Sequence, residues 1–71
     1  MNAYAVIIEG SDGSYSAYVP DLPGCVAAGA TLDEVEQLIG EAIELHVDSL
    51  RARGEPVPRS SAAAIRFVES A

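Results

Sequence analysis

The sequence predicts an α+β domain in the order β-β-β-α-β, with an antiparallel meander, one long helix and a final strand parallel to the first. Three observations predict it. Two short runs rich in β-branched and aromatic residues flank a glycine-rich turn cluster, a capping box opens a long stretch of helical spacing, and one more apolar run follows a proline-rich break.

The first run, Ala3-Tyr4-Ala5-Val6-Ile7-Ile8-Glu9, has no breaker and is apolar on both faces. Tyr4, Val6 and Ile8 point one way and Ala3, Ala5 and Ile7 the other, as in a central strand or one covered on both sides. Gly10-Ser11-Asp12-Gly13 supplies a hairpin turn. In the second strand, Ser14 to Val19, Tyr15, Ala17 and Val19 share one face and Ser16 and Tyr18 the other. Pro20-Asp21-Leu22-Pro23-Gly24 then interrupts the ladder, because two prolines remove backbone donors, and it forms a rigid surface loop. Cys25 to Gly29 forms a brief third strand whose small side chains imply that another element passes close above it.

Thr31-Leu32-Asp33-Glu34 reads as a capping box, with Thr31 as N-cap and Glu34 returning to the Thr31 amide. Val35, Leu38, Ile39, Ala42, Ile43, His46 and Leu50 recur at helical spacing with Leu45 at the stripe's edge, and Glu36, Gln37, Glu41, Glu44 and Asp48 lie outside it. Arg51 and Arg53 suit the last turn, Gly54 the position after it, and Pro56 and Pro58 forbid continuation. Ala62 to Val68 offers the last strand, with Ile65 and Phe67 inward and Arg66 outward, although its alanines also suit a helix. A right-handed crossover through the helix sets this strand parallel to the first and beside it.

At 71 residues the chain has room for a single domain over 1–71, and its core is small. Lone Cys25 has no disulfide partner, and with one histidine there is no ligand set for structural zinc, so association is the remaining source of stability. One helix covers one face of a sheet, which leaves the other as a surface for a homo-dimer or homo-tetramer. No apolar run is long enough to cross a bilayer and no basic leader is present, so a cytoplasmic location is expected. Eleven acidic residues against four arginines give a net charge of −7, a field that disfavours nucleic acid and anionic membranes and favours a basic partner.

Tyr4 to Glu9, Asp12-Gly13, Tyr15 to Val19, Pro20-Asp21-Leu22-Pro23-Gly24-Cys25, Gly29-Ala30-Thr31 with Asp33-Glu34, Glu41-Ala42-Ile43 and Gly54-Glu55-Pro56-Val57-Pro58 together resemble the HicB-like antitoxin family in order and spacing. The resemblance spans about Tyr4 to Pro58, and its most specific element is Pro-Asp-Leu-Pro-Gly-Cys followed by Gly-x-Thr. It implies a partly ribonuclease-H-like fold that binds and inhibits HicA, a small basic toxin that cleaves messenger RNA. Longer members carry a C-terminal DNA-binding segment, and the sequence predicts none here. The alternative is a toxin-independent homo-oligomeric structural or regulatory module. An enzyme ranks third.

On this reading the partner-binding candidates are Tyr18, Asp21, Leu22 and Pro23, with the loop holding Asp21 rigid at little entropic cost. For Asp21 taken alone a cap of its own turn is the first reading, and it is the loop as a whole, with Tyr18, that reads as the partner surface. His46 sits on the apolar stripe with no second ligand at helical spacing, and reads as a packing histidine. Cys25 has no activating neighbour in sequence and reads as a core thiol. Glu36, Glu41, Glu44 and Asp48 form a solvated face whose summed charge matters more than any member. Glu9, Asp12 and Asp21 fall short of a two-metal nuclease site because the last strand contributes no acid. No catalytic residue, metal or cofactor is expected.

Overall fold

The computed structural model describes residues 3–61 and Ala64. Three strands, β1 (Ile7–Ser11), β2 (Ser14–Tyr18) and β3 (Val26–Gly29), form an antiparallel sheet in sequential order, and helix α1 (Leu32–Ala52) packs on β3 and β2. The α+β meander and long helix are as the sequence predicts. The expected last strand at 62–68 falls, apart from Ala64, outside the described residues.

Strand β1 begins later and ends later than expected: residues 3–6 are not in the ladder, while Gly10 and Ser11 are, paired with Tyr15 and Ser14. The turn is thereby reduced to Asp12 and Gly13. Among the described residues β1 is an edge strand, with β2 in the centre. The Tyr15 hydroxyl donates to Asp12 Oδ1 at 3.0 Å across the turn, and the Gly13 amide donates to the Ala30 carbonyl at 3.0 Å, which ties the hairpin to the start of the helix.

The register sorts the side chains of all three strands by period two. Ile8, Ala17 and Ala27 form one row and Gly10, Tyr15 and Gly29 the next, both on the face under the helix. Ala17, Val19, Leu22, Cys25, Val35 and Ile39 make the buried core, with Tyr4, Val6, Ile8, Tyr15, Ala27, Ala42, Ile43 and Val47 packed around it. Small residues in β3 are required by the helix. A Cβ on Gly29 would lie 3.0 Å from the Val35 amide nitrogen, so the close passage expected from Ala27 and Gly29 is what the backbone makes.

Both helix ends are built from local sequence. Thr31 Oγ1 accepts from the Glu34 amide at 3.1 Å, as the capping box requires, but the Glu34 carboxylate returns to the Ala30 amide at 3.0 Å instead of that of Thr31. The carboxylate lies against Gly29, where a side chain would crowd it. At the other end the Gly54 amide donates to the Arg51 carbonyl at 3.0 Å and the Glu55 amide to the Leu50 carbonyl at 2.9 Å, the paired bonds of a Schellman motif.

The buried stripe is Val35 and Ile39, continued by Ala42, Ile43 and Val47. Val47, left out of the stripe on sequence spacing, belongs to it, while Leu38 and Leu45 face outward. Helix length explains why Val47 is drawn in. At 21 residues α1 is about 31 Å long, against about 17 Å for a five-residue strand, so its second half outruns the sheet. There it meets Tyr4 and Val57, which with Ile43, Glu44, Val47, Asp48 and Arg51 line an open groove of about 390 Å³. The Tyr4 hydroxyl donates to the Pro58 carbonyl and joins the two segments flanking that groove.

Candidate functional site

The loop after β2 consists of two successive turns. The Leu22 amide donates to the Val19 carbonyl at 3.1 Å and the Cys25 amide to the Leu22 carbonyl at 3.0 Å, each closing four residues with a proline in second place. In the second turn Gly24 has φ +84°, the conformation that a type II turn demands of its third residue. A further bond from the Val19 amide to the Cys25 carbonyl at 3.2 Å closes the base of the loop. Its rigidity follows from this ladder and from Leu22, whose side chain is fully buried in the core.

The four partner-binding candidates therefore divide. Tyr18 is 43% exposed at the end of β2, and Pro23 is exposed on the loop. Leu22 has no accessible surface and serves as the loop's anchor, because an apolar side chain set between two turns gains more from the core than from solvent. Asp21 does not cap its own turn: its carboxylate accepts from the Ser61 hydroxyl at 2.6 Å and the Ser61 amide at 3.2 Å, holding the segment that follows the helix.

A residue missed on sequence completes the exposed surface. Val26, 65% exposed, is paired with Tyr18, which is paired in turn with Ile7 on β1. Ile7, Tyr18 and Val26 thus form one row across the face turned away from the helix, with neighbouring Cβ atoms about 5 Å apart. Glu9, Ser16 and Ala28 form the adjacent row, where Glu9 is the sole charge. Alternation from the buried Cys25 was the available signal, since it sends Val26 and Ala28 outward and Ala27 and Gly29 inward.

The candidates for chemistry are placed apart. Cys25 is buried and free, and burial pushes its thiol above the ordinary 9.0, away from the thiolate that a nucleophile needs. His46 is half-buried on the helix. Among the described residues no three His, Cys, Asp or Glu side chains gather as a metal ion would require, and no helix is long and apolar enough to cross a membrane. The helix concentrates the negative charge: Asp33, Glu34, Glu36, Glu41, Glu44 and Asp48 face only Arg51, giving α1 a net charge of −5.

The family model described as "HicB_like antitoxin of bacterial toxin-antitoxin system" matches residues 4–69. Among curated proteins, the chain is 47% identical to UPF0150 protein ssr1765 of Synechocystis over 79% of this chain and 72% of that one. It is 43% identical to UPF0150 protein Ta0767 of Thermoplasma acidophilum, over 87% and 90% respectively. An uncharacterized 14.9 kDa protein from the rep-hol intergenic region of Haemophilus phage HP1 is 38% identical, and the match spans 82% of this chain and 44% of the longer phage protein. With the match reaching from the first described strand through the helix and beyond, this chain belongs to the HicB-like antitoxin family of bacterial toxin-antitoxin systems.

Proposed function

We propose that this chain is an antitoxin that binds and neutralises a small basic messenger-RNA-cleaving toxin of the HicA type, acting by coverage and performing no chemistry of its own. The observation that carries the reading is the apolar row Ile7-Tyr18-Val26, with Tyr18 and Val26 exposed beside a loop that is already rigid. A binding surface ordered before the encounter loses little conformational entropy on docking. Tyr18 and Pro23 make the contact, while Leu22 and Asp21 hold the loop from behind. The net charge of −7 draws a cationic partner and raises its association rate.

Free of toxin, copies of the chain associate as a dimer or tetramer through the same face, and the toxin displaces the second copy from it. A toxin-independent homo-oligomeric module is the second reading, favoured by how little charge the outer rows carry, since two such faces meet without repulsion. Co-expression with a small basic toxin of the HicA type separates the two. Restored growth and a co-purifying complex, both lost on replacing Tyr18 and Pro23 with Ala and Ser, are the outcome expected. A complete failure to bind or to protect, by a folded chain that forms closed oligomers alone, selects the second reading.

A further inference from the structure

The outward face of α1 carries a pattern that the core does not explain. Leu38 and Leu45, 37% and 71% exposed, stand seven residues apart, and Ala52 continues their row. Glu34, Glu41 and Asp48 stand four residues before each of them and make a second row with the same spacing, and all six positions are exposed. Positions seven apart differ by about 20° around a helix and positions four apart by about 40°, so two straight, adjacent ridges result, one apolar and one anionic. They run about 27 Å along the helix, from Glu34 to Ala52.

We propose that this face is a docking surface for an amphipathic helix of a basic protein, one whose apolar seam is flanked by Lys or Arg. The heptad spacing of the leucine row is what a second helix needs to set its own seam alongside over several turns. Glu41 and Asp48 select the partner's charge, since a cationic flank gains attraction beside the leucines and an anionic one meets repulsion, while the Glu34 carboxylate at the start of the row is engaged by the Ala30 amide. A second copy of this chain is the wrong occupant. It would bring its own carboxylate row against this one, and it has no lysine and only four arginines, with Arg51 and Arg53 at or beyond the helix end. The surface runs along the flank of the helix beside the buried stripe, apart from the outer sheet face, and the inference stands whether or not the antitoxin reading does.

The probes are two synthetic peptides of about three heptads with the same apolar seam, one flanked by lysines and one by glutamates. Fluorescence anisotropy with the full chain measures affinity, and amide shifts locate the site. The lysine peptide is expected to bind, to perturb amides between Glu34 and Ala52, and to weaken as salt is raised. Glu41→Gln with Asp48→Asn leaves the Glu34 cap intact and weakens binding roughly five-fold, as loss of two surface pairs implies. Leu38→Ser with Leu45→Ser weakens it about ten-fold, from the apolar area lost. The proposal is overturned if both peptides bind equally, if neither binds, if the shifts map to Ile7, Tyr18 and Val26, or if the double serine variant matches the parent. It is also overturned if that variant changes the free chain's sedimentation, because the face then serves self-association. Unchanged far-UV circular dichroism in each variant keeps binding separate from folding. Loss of toxin neutralisation with peptide binding intact would count against the antitoxin reading alone.

Discussion

On the inner face of the sheet Ala17, Ala27 and Gly29 lie beneath the helix, where even a Cβ on Gly29 would crowd it, whereas on the outer face Tyr18 and Val26 are large and exposed, with Ile7 half-buried beside them. The same strands carry both sets, one residue apart. Packing thus selects small residues in β3, where the helix presses close, while Ile8 and Tyr15 fill the inner face beyond it and Tyr18 and Val26 stand where the chain offers no covering neighbour among its described residues. A small domain with six buried core residues among those described has little apolar area to spare for solvent, so the outer row reads as surface reserved for another molecule.

Leu22 tests the inner side of this contrast most severely. It joins the binding loop to the core, and Leu22→Ala is expected to cost about 3 kcal/mol, a large part of the stability of a domain this small. Urea unfolding midpoints measure it. The loop should also lose order, seen as faster amide exchange at Cys25, whose amide donates within the second turn. If stability falls by less than about 1 kcal/mol, the loop is not anchored as described.

Neighbouring positions on β3 sharpen the comparison directly. Gly29→Val drives a side chain into the Val35 amide and the Glu34 side chain, at an expected cost of about 2 kcal/mol. Ala28→Val, one residue earlier and on the exposed face, should change stability by less than about 0.5 kcal/mol. Equal effects at the two sites would mean that the helix does not rest on Gly29.

How far this contrast could be read from sequence depends on how local each signal is. The helix was legible at both ends because its caps are made within a few residues of each other, and the small residues of β3 announced the helix above them. Less legible were features set by distant partners. Asp21 looked like a turn cap because its actual partner, Ser61, lies forty residues on. Spacing omitted Val47 because its neighbours, Tyr4 and Val57, come from segments remote in sequence that meet the helix where it outruns the sheet, and it placed Leu38 in a stripe whose edge the structure leaves exposed. Leu22 was legible as part of a rigid loop, but its inward direction depends on the tight pair of turns that the prolines and Gly24 create.

Thr31→Ala removes the acceptor for the Glu34 amide and should cost about 1 kcal/mol in the same unfolding measurement. Alkaline pH acts on the inner face by a smaller amount. The Cys25 thiol is raised above 9.0 by burial, and the Tyr15 hydroxyl above 10.0 first by its bond to Asp12 and then by desolvation. For both groups the folded state holds its proton more tightly than the unfolded chain, so stability is level below pH 9 and falls as pH rises through the raised values. Stability that instead increased from pH 9 to 11 would contradict both assignments.

The outer face is expected to show the smallest stability effect and the largest change in behaviour. Val26→Lys places a charge at a position 65% exposed and opposite Tyr18, where solvent accommodates it, so the unfolding midpoint of the isolated chain should move by less than about 0.5 kcal/mol. Association is another matter, because a buried unpaired ammonium at the centre of an apolar contact is strongly unfavourable. Sedimentation at matched concentrations should therefore show the parent assembled and the lysine variant shifted toward monomer, with Ala28→Lys, one row out, having a weaker effect. A parent that sediments as a stable monomer, or a variant that assembles as the parent does, would leave the exposed row without the role that its contrast with the inner face implies.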